Sequence, residues 1–350
     1  MKLVVLGLSL SSSWGNGHAT TYRALLAAFA ARGHDILFLE RDVPWYANQR
    51  DLTAPDYCRL AFYEDLPDLA NWREEIVTAD AVIVGSYVPD GVEVGRLAQS
   101  LATTTAFYDI DTPVTLAKLE RGDFEYLSPD IIPGYDVYLS FTGGPTLARL
   151  EEQYGSPAAR ALYCSVDPAA YPPMDVPPRW DLSYLGTWSA DRQPTLERLL
   201  IEPARRCPDR AFVVAGPQYP GIDWPANVER IDHLPPSGHA AFYAASRFAL
   251  NVTRADMIAA GWSPSVRLFE AASCGTPIIS DVWEGLDSLF APGAEIILAR
   301  DADDVVTALA TDAQAIGRAA RERVLAAHTA AHRAAELETH LALAAARTSA

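Results

Sequence analysis

Short apolar runs alternate with helical segments along this chain, break once, and begin again. Lys2–Leu10, Asp35–Glu40, Ala79–Gly85, Thr104–Asp109 and Tyr135–Phe141 read as strands, and Thr20–Arg32 carries Leu25, Leu26 and Phe29 at helical spacing before Gly33 stops it. Such alternation demands a parallel sheet, because each helix crosses over and covers one of its faces. From Tyr163 to Trp180 the pattern gives way to Pro168, Pro172, Pro173, Pro177 and Pro178, which marks a domain boundary. It then restarts, with strands at Leu182–Gly186, Ala211–Gly216, Phe248–Val252 and Ala294–Leu298, and helices at Gln193–Arg206 and His239–Ser246. An Ala-rich tail, residues 313–346, reads as largely helical. The expectation is an α/β chain of two doubly wound domains, residues 1–170 and 171–330, with a C-terminal helix over 331–350 packing back on the first. Two such domains offer a ligand cleft at the carboxyl ends of their strands.

With 350 residues and 49% hydrophobic content, the chain can bury two cores. Its formal net charge of −17 excludes a broad grip on nucleic acid or anionic lipid, while leaving room for a local basic pocket. Cys58, Cys164, Cys207 and Cys274 form no CxxC pair, which argues against a disulfide framework or structural zinc and for a reducing cytoplasm. The opening MKLVVLGLSLSSS reads as a first buried strand, not a leader, and no apolar stretch approaches the roughly 20 residues that span a bilayer.

The most informative stretch for function is SPSVRLFEAASCGTPIISD, Ser263 to Asp281. Ser263 suits a helix cap and Pro264 the first turn, so free amides and the positive end of the dipole face whatever precedes them, which favours phosphate. Arg267 and Glu270, three apart, share a face: a cation for an anion and a carboxylate for sugar hydroxyls. Gly275 and Pro277 end the helix before the short strand Ile278-Ile279-Ser280-Asp281.

Other candidates sit at predicted strand ends. Trp14-Gly15-Asn16-Gly17-His18 follows the first strand, where the glycines admit a ligand and His18 can exchange a proton near neutral pH; a tight turn is the alternative. This is no GxGxxG fingerprint, and Glu40 or Asp42 matches the NAD-binding acid only loosely. Asp109 and Asp111 could act as acid/base groups, flank a metal or accept sugar hydroxyls, or Asp111 and Thr112 could simply cap a helix. Gly186, Thr187 and the following Ser189 and Arg192 suit a diphosphate. Gly216-Pro217-Gln218 reads as an ordinary turn. Arg254 is expected to face the same anion as Arg267, unless one of them pairs with Asp256 or Glu270. His328 and His332 have zinc-like spacing without the intervening Glu, and a solvated Ala-rich helix explains them.

The pattern RxFEAxxCGTPxIS within Ser263–Asp281 resembles the donor-site signature of GT-B glycosyltransferases, of the group 1 type and especially the CgeB-like branch. WGNGHATTYRALLAAFAARGHD, YLGTWSADRQPTLERLL, LNVTRADMIAAGWSPSVRLFEAASCGTPIISD and LFAPGAEIILARDADD carry the likeness along most of the chain. It implies a GT-B fold of two Rossmann-like domains and a hexosyltransferase that moves sugar from a nucleotide diphosphate donor to a hydroxyl-bearing acceptor. Glu270 would hold the ribose, Arg267 and Arg192 would face the diphosphate beside Gly186, Thr187 and Arg254, and amides near Ser265 and Val266 would add donors. Trp14, Asn16 and Gly17 would belong to the acceptor side, with His18 as base or acceptor-orienting group and Asp109 or Asp111 as secondary candidates. No metal and no cofactor is required, because positive side chains and helix dipoles stabilise the leaving group. The family often carries another Glu eight residues before the position of Glu270; here that residue is Trp262. The rival readings are a nucleotide-sugar epimerase on the same fold, a metal-dependent GT-A enzyme built on Asp109 and Asp111, and a non-catalytic nucleotide or carbohydrate sensor.

Overall fold

A computed structural model describes residues 1–14 and 17–348. The chain divides into two compact units, one formed by Met1–Cys164 with Ala330–Ala350, the other by Ser165–Thr329.

The first unit holds β1 (Lys2–Gly7), β2 (Asp35–Arg41), β3 (Arg59–Tyr63), β4 (Ala81–Gly85), β5 (Thr105–Asp109), β6 (Val137–Ser140) and β7 (Ala159–Ala161). They form a seven-stranded sheet in the order β3-β2-β1-β4-β5-β6-β7, every pair parallel. Val4 pairs with Leu37 on one side and Val82 on the other, and Leu3, Val4, Val5 and Leu6 are all at most 1% exposed. Burial on both faces is why β1 is continuously apolar, not alternating. The helix Gly17–Ala30 covers the sheet with Tyr22, Leu25, Leu26 and Phe29 buried.

The second unit holds β8 (Trp180–Leu185), β9 (Phe212–Ala215), β10 (Val228–Ile231), β11 (Ser246–Asn251), β12 (Ile278–Ser280) and β13 (Ile297–Leu298). Again all pairs are parallel, in the order β10-β9-β8-β11-β12-β13, over a core that includes Leu182, Phe212, Val214, Leu250 and Ile279.

The tail is helical, as its sequence reading has it, and ends in a separate C-terminal helix. Helix Gln314–Ala327 ends at His328, and a new helix, Ala330–Thr348, begins where the chain returns to the first unit. His328 and His332 therefore lie on different units, and the zinc-like spacing never forms on one helix face. The His328 ring packs against Phe269 at 5.0 Å and Phe290 at 6.0 Å, so it is a buried packing residue, not a solvated one. The last helix lies against Gly17–Ala30 and β6. It buries the stripe Ala334, Leu337, Leu341 and Ala344, and is pinned by Arg32 Nε donating to Glu338 at 2.7 Å. Among the described residues, no helix is long and apolar enough to cross a membrane.

β5 ends in Asp109, which is fully buried and collects three donors, from β6 and from the next helix and its N-cap. Tyr138 Oη donates to Oδ2 at 2.5 Å, Thr115 Oγ1 to Oδ1 at 2.8 Å and the Asp111 amide to Oδ1 at 3.2 Å. An acid/base group must reach substrate, and this carboxyl is instead spent on joining β5, β6 and the helix Thr112–Glu120. Burial pushes its pKa from 3.8 up to about 6, against the opposing pull of those hydrogen bonds. The folded chain thus keeps a proton that the unfolded chain has released, so the Asp109 contribution is fully present below 3.8 and is lost as pH rises through about 6. Measured by denaturant unfolding, the stability of wild type relative to Asp109→Asn should fall by on the order of 3 kcal/mol between about pH 4 and about pH 7. Parallel pH curves for the two proteins would show that the carboxyl ionises normally.

Candidate functional site

In the second unit the carboxyl ends of β8, β9 and β11 and the start of helix Val266–Ser273 form one polar group. Two glycines let the backbone close up there. A Cβ on Gly216, whose φ is +141°, would lie 2.1 Å from the Gly186 carbonyl oxygen, and one on Gly186 would lie 2.6 Å from Tyr184 Oη. No other residue fits at position 216, and one at position 186 would have to displace the Tyr184 side chain.

The helix begins at Val266 with Ser265 as its N-cap residue, so the start falls later than Ser263 and Pro264 suggest. The Ser265 hydroxyl does not cap the helix; it donates to Asn251 Oδ1 at 2.7 Å. The amides of the first turn, at Val266 and Arg267, therefore have no partner from the cap side chain and carry the positive end of the dipole.

Arg267 reaches back under this turn. Its Nε donates to the Leu185 carbonyl, Nη1 donates to Ser265 Oγ at 3.3 Å and Asn251 Oδ1 at 3.4 Å, and the guanidinium lies 5.4 Å over the Tyr184 ring. Burial presses its pKa down, but Tyr184, Tyr243 and Glu270 oppose it and the net shift is upward. Arg192 curls the loop after β8, donating through Nη2 to the Thr187 carbonyl at 2.6 Å and through Nε to Ser189 Oγ at 2.9 Å. Its pKa is lowered, first by burial, with the like charges of Arg267 and Arg254 adding to the effect. Arg254 pairs at 3.6 Å with Asp191, a partner the sequence reading did not weigh, in place of Asp256 or Glu270. Among the described residues, no carboxylate comes within ion-pair distance of Arg192 or Arg267, and Asp191 and Glu270 act on these two guanidiniums only from farther away, so three arginines gather here in a chain of net charge −17.

Nothing in the sequence marks Asn251 and Asp281 as a pair. Asp281, buried at 3% exposure, accepts from the Thr253 amide at 2.8 Å and Thr253 Oγ1 at 2.8 Å. Asn251 turns its Nδ2 to Ser280 Oγ at 3.0 Å, Thr253 Oγ1 at 3.1 Å and Asp281 Oδ1 at 3.4 Å, leaving Oδ1 for Ser265 and Arg267.

Glu270 does not join Arg267. It turns the other way, 3% exposed, and accepts from Tyr171 Oη at 2.8 Å and Tyr243 Oη at 3.1 Å, with His239 Nδ1 at 3.9 Å. Burial and the neighbouring Glu270 charge raise both tyrosine pKa values, so the two phenols remain donors. None of Tyr171, Tyr243 and His239 carries a sequence signal, since they come from the Pro-rich connection and a different helix.

The first unit carries a separate group. Glu40, fully buried at the end of β2, accepts from the Leu10 and Ser11 amides at 2.7 and 2.9 Å and from the Ser9 and Ser11 hydroxyls at 3.1 and 2.6 Å. A dinucleotide site needs that carboxylate for a ribose; here the loop after β1 consumes it. The loop leads to Trp14, which is 53% exposed. Asn16 and Gly15 lie outside the described residues, and Gly17 opens the next helix with nothing near its Cβ position. His18, in the first turn, places Nε2 3.8 Å from Asp111 Oδ2. Asp111 is the N-cap residue of Thr112–Glu120, yet its side chain makes no cap bond and instead accepts from Tyr87 Oη at 3.3 Å. The structure thus brings His18 and Asp111 together and leaves Asp109 behind them in the interior.

Residues 192–339 match the family described as glycosyl transferase-like. No curated protein matches the chain. A sucrose-phosphate synthase from Thermosynechococcus elongatus is similar with a TM-score of 0.70 at 17% identity, over 97% of this chain and 98% of that one. Anabaena Alr3699/HepE in complex with UDP and glucose gives 0.72 at 12% identity, over 98% and 99%. An alpha-glucosyltransferase in complex with UDP and a 13-mer DNA gives 0.68 at 11% identity, over 97% and 99%. These likenesses establish a GT-B fold of two Rossmann-like parallel-sheet units.

Because one carboxamide serves Ser265, Arg267 and Asp281, Asn251→Ala should cost about 1–3 kcal/mol in unfolding free energy, and Ser265→Ala about 1 kcal/mol. Equal denaturation midpoints for Asn251→Ala and wild type would remove Asn251 from this role.

Proposed function

We propose that this chain is a GT-B glycosyltransferase that takes a UDP-hexose on Ser165–Thr329 and a hydroxyl-bearing acceptor on Met1–Cys164. The observation that carries the reading is that Arg192 and Arg267, neither within ion-pair distance of a carboxylate among the described residues, stand beside the first turn of Val266–Ser273, with Arg254 close enough for its charge to act on Arg192. Guanidiniums fixed by carbonyls and hydroxyls, and not by acids, keep their charge for a ligand; two phosphates supply the matching negative charge. Two of the similar structures above hold UDP, which favours uridine as the base. The RxFEAxxCGTPxIS pattern favours a CgeB-like branch, and the free cysteines fit a reducing cytoplasm.

In this reading the acceptor oxygen bonds to the anomeric carbon while the bond from that carbon to the diphosphate oxygen breaks. Charge develops on the leaving UDP and is met by Arg192, Arg267 and the amides near Ser265 and Val266, with Gly186 and Thr187 bordering them. Fixed charges of this kind need no reorganisation as the bond breaks, and no metal is required. Glu270 offers its oxygens to the ribose hydroxyls in place of the tyrosine hydroxyls it now accepts. His18 takes the acceptor proton, and Asp111 at 3.8 Å stabilises the imidazolium that results. Trp14 and Gly17, with Asn16, belong to the acceptor side.

Thermal denaturation with nucleotides tests the donor half. UDP at a hundredfold excess over its Kd should stabilise the protein by about 2.7 kcal/mol, and Arg267→Ala or Arg192→Ala should weaken UDP at least about tenfold, or about 1.4 kcal/mol. Uridine should respond far less to either substitution. A chain that no nucleoside diphosphate stabilises, or variants that bind UDP as wild type does, would refute the reading. Binding without consumption of any UDP-sugar, with or without acceptors, would identify a sensor, and donor isomerised without acceptor an epimerase.

A further inference from the structure

A large aromatic residue occupies a left-handed backbone position beside His18. In the loop after β4, Tyr87 has φ +63° and Asp90 φ +54°. For residues with a Cβ this region costs about 1–2 kcal/mol each, and it persists only where the surroundings impose it. Here two contacts and one close backbone approach hold the loop. Ser86 Oγ accepts from the Ile110 amide at 3.2 Å, Arg41 pairs with Asp90, and a Cβ on Gly91 would lie 2.6 Å from the Tyr126 carbonyl oxygen.

What this turn delivers is the Tyr87 side chain. Its hydroxyl donates to Asp111 Oδ2 at 3.3 Å, and its ring meets the His18 imidazole edge-on, with centroids 5.2 Å apart and planes at 78°. The ring also packs on Tyr126 at 4.6 Å. Tyr126 Oη lies 2.8 Å from Thr115 Oγ1, which in turn bonds to Asp109. Tyr87 therefore links the side chains of both His18 and Asp111 to the packed interior of the unit.

We propose that Tyr87 is the positioning residue of the His18–Asp111 pair: its hydroxyl fixes the carboxylate and its ring fixes the imidazole. The proposal rests on the reading of His18 as the acceptor's base. Tyr87 touches neither the acceptor oxygen nor the donor; it restricts the imidazole to one orientation, and a base displaced by about 1 Å loses on the order of a hundredfold in rate.

Tyr87→Phe keeps the ring and removes only the hydroxyl. The probe is UDP-glucose with water as the acceptor, alongside NMR of protein carrying ¹³C-labelled histidine. Glucose release at saturating UDP-glucose should slow about tenfold, while KM and the calorimetric affinity for UDP stay within about twofold. The double variant His18→Ala/Tyr87→Phe should be no slower than His18→Ala alone, as expected of residues acting as a unit. The His18 ring resonances should shift or broaden while those of His328 stay in place. His18 resonances that superimpose on wild type overturn the proposal whether or not UDP-glucose turns over, and so does an unchanged hydrolysis rate. A wild-type protein that binds neither UDP nor UDP-glucose defeats the donor reading, and the resonances then still decide whether Tyr87 holds His18.

Discussion

The Asn251 carboxamide is the interaction on which the second unit's polar group depends. A side-chain amide has a donor end and an acceptor end, and each is committed: Nδ2 faces Ser280, Thr253 and Asp281, and Oδ1 faces Ser265 and Arg267. Rotating it by half a turn would set an oxygen against the Asp281 carboxylate and donors against a guanidinium. Neither is tolerable at 1% exposure. Arg267 is thereby positioned without an acidic partner at bonding distance, which leaves its charge unspent.

The first unit solves a related problem with carboxylates. Glu40 and Asp109 stand at the ends of β2 and β5, fully buried, and each gathers hydrogen bonds from the loop that follows a strand. Asp281, just past β12, does the same in the second unit. A buried carboxylate is costly unless its lone pairs are filled, so each of these acids fixes the loop that fills them. The side chains left over, Trp14, His18 and Asp111 in one unit and Arg192 and Arg254 in the other, are presented from backbone that is already held.

The central strands were legible because burial on both faces makes them continuous apolar runs. β3, β7 and β10 were not, and all three lie at sheet edges, short and partly exposed, where neither a long apolar run nor strict alternation is required. In the tail, alanine marks helix on both sides of His328, and only the fold shows that His328 itself is buried. Arg267 and its helix could be read from local spacing, although the helix starts later than its Ser-Pro opening suggests. The pairing of Asn251 with Asp281, and of Glu270 with Tyr171, spans segments whose proximity only the fold creates. The same limit explains why Asp109 and Asp111 looked equivalent two residues apart: one side chain turns into the core and the other toward His18.

The return of the chain to its first unit at Ala330 has a consequence for synthesis. The second unit is an uninterrupted segment, Ser165–Thr329, and can complete its sheet while the chain is still being made. The first unit lacks its covering helix until Ala330–Thr348 has been added. Until then the surfaces of Gly17–Ala30 and β6 that receive Leu337 and Leu341 stay open to water. Met1–Cys164 thus precedes the second unit in the chain and is completed after it, and in the interval it offers an apolar stripe of the kind that chaperones bind and that aggregation exploits.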